Sequence, residues 1–100
     1  MAISPVTLAL TGTYVCLNSA SAASGSVSVY PIDGDIWLQW GATTTLPTND
    51  AGAIPLGPAG QGAAVINQTL AALWPGAASP AYLFARTKSG VGGNVAVSCA

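Results

Sequence analysis

Apolar residues in this chain recur at every second position over short runs, and Gly, Pro, Asn or Asp ends most of the runs. In residues 3–10, Val6, Leu8 and Leu10 share one phase, and Thr7 and Ala9 the other. A period of two is the repeat of a strand that buries one face. Gly12 ends this run, and residues 14–17 form a second apolar piece. Residues 18–25 are small and polar, which predicts a loop. Ser26, Val27, Ser28, Val29 and Tyr30 alternate cleanly and predict a half-buried strand. Another apolar run, residues 36–40, follows and stops at Gly41. Asp33-Gly34 lies between these two runs and predicts a hairpin joining them.

Residues 43–62 are the least regular part, with Pro47, Pro55 and Pro58 among several glycines. A loop of this length inside a small domain is usually functional or an assembly arm. A short strand is expected within it near 53–56, and another at 63–66. Leu70, Leu73 and Trp74 fit one helical turn stopped by Pro75. In residues 80–87, Tyr82, Phe84 and Arg86 share one face, and Leu83 and Ala85 the other. Residues 89–93 form a Gly-rich turn, and Val95, Val97 and Cys99 end the chain in phase. Seven to eight short strands without an internal repeat predict one all-β domain over residues 1–100. The expected architecture is a small antiparallel β-sandwich or jelly roll. An open sheet would leave edges with almost no charge to protect them. Closure of the fold, or pairing of edges between subunits, is the natural remedy.

Charge changes the picture most. Only Asp33, Asp35, Asp50, Arg86 and Lys88 are charged, and the chain has neither His nor Glu. Most enzyme mechanisms need a positioned acid, base, metal ligand or activated nucleophile, so no enzyme is expected. Two cations make no patch, which disfavours nucleic acid and an anionic membrane surface. No run of about 20 apolar residues predicts a membrane-spanning helix. The first residues have no basic region followed by an apolar core, so no signal peptide is expected. Soluble monomers rely on surface charge. With 5% charged residues, the chain is expected to hide surface against copies of itself, as a trimer or dimer, or against a partner.

No cofactor or metal is expected. Asp33-Gly34-Asp35 lacks the further oxygens and closing Glu of a calcium loop and reads as a turn. Cys16 and Cys99 have no spacing for zinc or CxxC chemistry. They are either buried reduced thiols or a disulfide tying the first and last strands. The expectation is reduced thiols on neighbouring strands of one sheet. Asn67-Gln68-Thr69 matches a glycosylation sequon and is read as coincidence. Trp37 and Trp40 are three apart on a strand and so point to opposite faces. One is expected in the core and one as an intersubunit anchor, or as a platform for a sugar ring. Trp74 is expected to plug one end. The candidate interface residues are Trp37, Trp40, Leu46, Ile54, Leu56 and Trp74.

The layout resembles the small β-sandwich virion proteins of tailed phages, the capsid decoration or cement proteins and the head-fibre or knob domains. The segments that carry this resemblance are 26–30, 34–41 (Gly-Asp-Ile-Trp-Leu-Gln-Trp-Gly), 54–60 (Ile-Pro-Leu-Gly-Pro-Ala-Gly), 82–85 and 94–97. They are alike in style of pattern and carry over no set of functional residues. The resemblance implies a non-enzymatic accessory protein of the virion, assembled in the host cytoplasm. Its partner would be the major capsid protein or another virion protein, met through the 43–62 segment. The alternative is a carbohydrate- or receptor-binding knob.

Overall fold

The alternating runs become strands because each has one apolar face to bury and no helix-period stripe. The computed structural model describes residues 3–18, 25–31, 35–56, 65–87 and 93–99. In chain order the elements are β1 (Ile3–Leu10), β2 (Val15–Cys16), β3 (Ser26–Pro31), β4 (Ile36–Gly41), β5 (Ile54–Leu56), β6 (Val65–Thr69), α1 (Leu70–Leu73), β7 (Tyr82–Thr87) and β8 (Gly93–Cys99). They form two four-stranded antiparallel sheets, in the orders β1-β8-β3-β6 and β2-β7-β4-β5. The fold is all-β, as the pattern predicts.

The core draws on both sheets. Leu10, Val27, Val29, Val65, Val95 and Val97 come from the first, and Ile36, Leu38, Leu56, Leu83 and Ala85 from the second. Fully burying a side chain of this size contributes about 1.5–3 kcal/mol. Leu70 and Trp74 join the same cluster from the turn between β6 and β7. That turn forms because Thr69 caps it: its hydroxyl accepts from the Ala72 amide at 3.1 Å. Before the cap, Asn67 adopts a left-handed conformation with φ 52°, which Asn tolerates better than most residues. The β3–β6 register slips there, between Val27 and Val29, and the Asn67 amide donates to Ser28 Oγ at 2.9 Å. This is a β-bulge. The sequon residues are thus accounted for by a bulge and a helix cap.

Two expectations are corrected by the topology. First, β3 and β4 do not form a hairpin. β3 pairs with β8 and β6, whereas β4 pairs with β7 and β5 in the other sheet. An arch between sheets buries the same alternate residues as a hairpin within one, so the pattern is silent on the choice. The Asp33-Gly34 turn itself lies outside the described residues. Second, Cys16 and Cys99 are in different sheets, Cys16 opposite Phe84 and Cys99 opposite Ile3 and Val27. The terminal strands β1 and β8 do pair, but Cys16 comes after the chain has crossed to the second sheet. Its thiol is free and half-buried, and donates to the Asn18 carbonyl at 3.0 Å. Of the candidate interface residues, Leu56 and Trp74 are packed in the core of the single chain, 5% and 8% exposed.

Candidate functional site

Among the described residues, the outward face of the second sheet carries the most concentrated polar chemistry. Register places Phe84 between Cys16 and Gln39, and Arg86 next to Trp37. Tyr14, which precedes the Val15–Ala85 pair, falls beside Arg86 on its other flank. Arg86 thus stands between two aromatic residues of neighbouring strands. Its guanidinium carbon lies 5.6 Å from the Tyr14 ring centroid, within cation–π range.

The segment between β4 and β5 folds back onto this face. Its Asp50 accepts from the Tyr14 hydroxyl at 2.6 Å and from Arg86 Nε at 3.0 Å, both at Oδ1. Arg86 Nη2 donates to Oδ2, completing a bidentate pair. Arg86 Nη1 donates to the Thr87 carbonyl at 3.1 Å. Gln39 Nε2 ties down the Ala51 carbonyl at 2.7 Å, and Trp74 Nε1 the Gly52 carbonyl at 2.7 Å. Within the segment, Asn49 Oδ1 accepts from the Ala51 amide at 3.0 Å, and the Ala53 amide donates to the Asp50 carbonyl at 3.0 Å. Gly52 takes φ 81°, a turn conformation that suits glycine. The described part of the expected assembly arm is therefore a strap, held at both ends of its turn.

The electrostatics fit a fixed strap. Hydrogen bonds from Arg86 first, and from Tyr14 second, hold the Asp50 carboxyl below its usual range. Burial, helped by the bond to Asp50, pushes the Tyr14 phenol far above its usual value of 10.0. The bond to Asp50 raises the Arg86 guanidinium further. None of these groups is moved toward neutrality, where proton transfer is most effective. The arrangement holds geometry and leaves unused hydrogen-bond sites on Asp50 and Arg86, whose side chains are 34% and 21% exposed. Beside them opens a cleft of about 480 Å³, lined by Thr13, Tyr14, Pro47, Asn49, Asp50 and Arg86.

These shifts predict two pH limits. Asp50 has a depressed folded pKa, so its contribution is present above the unfolded carboxylate value. That contribution is lost as pH falls through the folded value. Tyr14 has a raised folded pKa. Its contribution is complete below pH 10.0, its ordinary value, and is lost as pH rises above that. Thermal unfolding followed across pH should show an acid limb that flattens in Asp50→Asn and an alkaline limb that flattens in Tyr14→Phe. Identical profiles for the parent and both variants would refute the strap's role.

The candidate interface residues are distributed unevenly. Trp40 and Leu46 meet in an open cleft that includes Gln39 and Pro47. Trp40 also borders a second cleft with Leu73, Trp74, Pro75 and Ala77. Trp40 and Ile54 pack partly against the core, whereas Leu46 is 46% exposed. Trp37 lies on the opposite face from Trp40, half-buried, in register with Arg86 and Pro55. Sequence reasoning missed Tyr14 and left the partner of Arg86 open. A usable signal existed: Arg86 shares an outward phase with Phe84, and few carboxylates exist to meet it. Comparison of the chain with protein-family models, with curated proteins and with solved structures finds no match.

Proposed function

We propose that this chain is a non-enzymatic virion structural protein, a capsid decoration or cement protein of a tailed phage that stabilises the head by binding capsomers. The observation that carries the reading is where the charge goes. Among the described residues the one cation, Arg86, is committed to Asp50 within the fold. The clefts around Trp40 and Leu46 are lined by uncharged residues, mainly apolar on the side of Leu73 and Ala77 and mixed with Thr45, Thr48 and Asn49 on the side of Leu46. Such a surface suits a partner bound through buried area, at about 25 cal/mol per Å² before association costs. The strand orders 1-8-3-6 and 2-7-4-5 are consistent with a jelly-roll path, an architecture used by viral capsid and lectin domains.

A carbohydrate- or receptor-binding knob is the second reading. It is supported by the polar cleft at Asp50, Asn49 and Arg86, with Trp37 in register beside Arg86. Co-sedimentation with assembled phage heads separates the two. The cement reading expects saturable binding, heads that survive higher temperature, and weaker binding by Leu46→Asp. Absence from heads, together with quenching of tryptophan fluorescence by a glycan, would replace it with the knob reading.

A further inference from the structure

Each four-stranded sheet has two edges, and three of the four carry a device that discourages pairing with another strand. β2 is only two residues long. β5 is three residues long with Pro55 at its centre, a residue that has no amide to donate. β6 is bent by the bulge at Asn67. Short strands, prolines and bulges are the usual protections of a sheet edge.

β1 is different. At eight residues it is the longest strand among the described residues, where it pairs only with β8. Pro5 and a register shift between Ile3 and Val6 interrupt its first half. From Val6 to Leu10 it runs opposite Val97 to Gly93 in unbroken register. No residue of β1 is charged. Alternate amides and carbonyls of a strand point to its two sides, so half of those in this run face away from β8.

We propose that two copies of this chain pair through this edge, β1 antiparallel to β1, making one continuous eight-stranded sheet across a twofold axis. The identity of the occupant follows from the other edges. Among the described residues, a strand of this chain seeking a regular edge on a second copy finds only β1, because β2, β5 and β6 are too short or are bent. Self-pairing of one edge is isologous and closes at a dimer, so it does not propagate into a fibre. The absence of charge removes the like-charge repulsion that such self-pairing would otherwise bring to opposed positions. The β1–β1 pairing stands apart from capsid binding.

The test uses the full chain. Light scattering or sedimentation at micromolar concentration should give a dimer. Thr7 and Ala9, opposite the half-exposed Ala96 and Asn94 in the register, are the positions to charge. Thr7→Lys with Ala9→Lys should give a monomer with an unchanged circular dichroism spectrum. In the unmodified chain, amide exchange over residues 6–10 should be slower by about tenfold or more in the dimer and should accelerate on dilution. A monodisperse monomer at micromolar concentration overturns the proposal. So does a dimer whose residues 6–10 exchange equally fast at all concentrations. The dilution experiment needs no variant, so it decides the matter even if the double substitution fails to fold. An unmodified chain that forms the dimer but does not bind heads would count against the cement reading alone.

Discussion

Phe84→Ala is expected to lower unfolding stability by about 3–5 kcal/mol, the range for removing a fully buried aromatic ring. A domain of this size has about 5–15 kcal/mol in total, so the variant should be near the margin. The expectation is not obvious from the strand, because Phe84 is on the outward phase of β7, opposite the core residues Leu83 and Ala85. It is nonetheless fully buried. Gln39 beside it is roofed by the Ala51 carbonyl, and its ring lies against Gly41. A Cβ on Gly41 would come within 2.7 Å of Phe84 Cε2 and 3.1 Å of the Thr43 carbonyl. Gly41→Ala should therefore also destabilise, and by less when Phe84 is already Ala. Urea unfolding of the two single variants and the double variant measures this coupling. Strict additivity, or a Phe84→Ala cost below about 1 kcal/mol, would mean the ring is not packed there.

Asn18→Ala is expected to have the second large effect. Asn18 is fully buried where β2 runs out. Its Nδ2 donates to the Ala81 carbonyl at 3.1 Å, and its Oδ1 accepts from the Leu83 amide at 2.8 Å. With the Leu17 amide donating to the Leu83 carbonyl at 2.8 Å, the side chain continues a ladder that the backbone has stopped making. Truncation leaves two buried backbone groups unpaired, at about 1–3 kcal/mol each. Exchange of the Leu83 amide should accelerate along with the loss of stability. A stable variant with a still-protected Leu83 amide would show that another group makes these bonds.

Much of the secondary structure was legible in the sequence because alternation is a local property. The strand phases of 26–30, 36–40 and 80–87 are those observed, and so is the single turn from Leu70 stopped before Pro75. The short strand inside the Pro-rich segment is present as β5, and β6 extends three residues beyond the expected end at Ile66, through Asn67 and its bulge. The site was far less legible. Tyr14, Asp50 and Arg86 are separated by 36 residues at each step, and nothing local marks them as partners. Phe84 and Asn18 reverse their local appearance, one an outward aromatic and the other the first polar residue of a loop, yet both are buried.

Sequence by itself determined that this chain would be an all-β domain with one face of each strand inside, because apolar burial acts on alternate residues wherever a strand lies. It also determined that few groups could pair by charge, because so few exist. Tertiary structure alone decided which sheet each strand joins. A hairpin and an inter-sheet arch bury the same residues, so β3 and β4 separated and Cys16 and Cys99 came to lie in different sheets. It alone decided that the segment between β4 and β5 is a strap, because the Asp50–Arg86 pair forms only once β2, β7 and β4 stand side by side. And it alone decided that β1 would be, among the described residues, the one regular, uncharged edge, since an edge is a property of the assembled sheet and of no single strand.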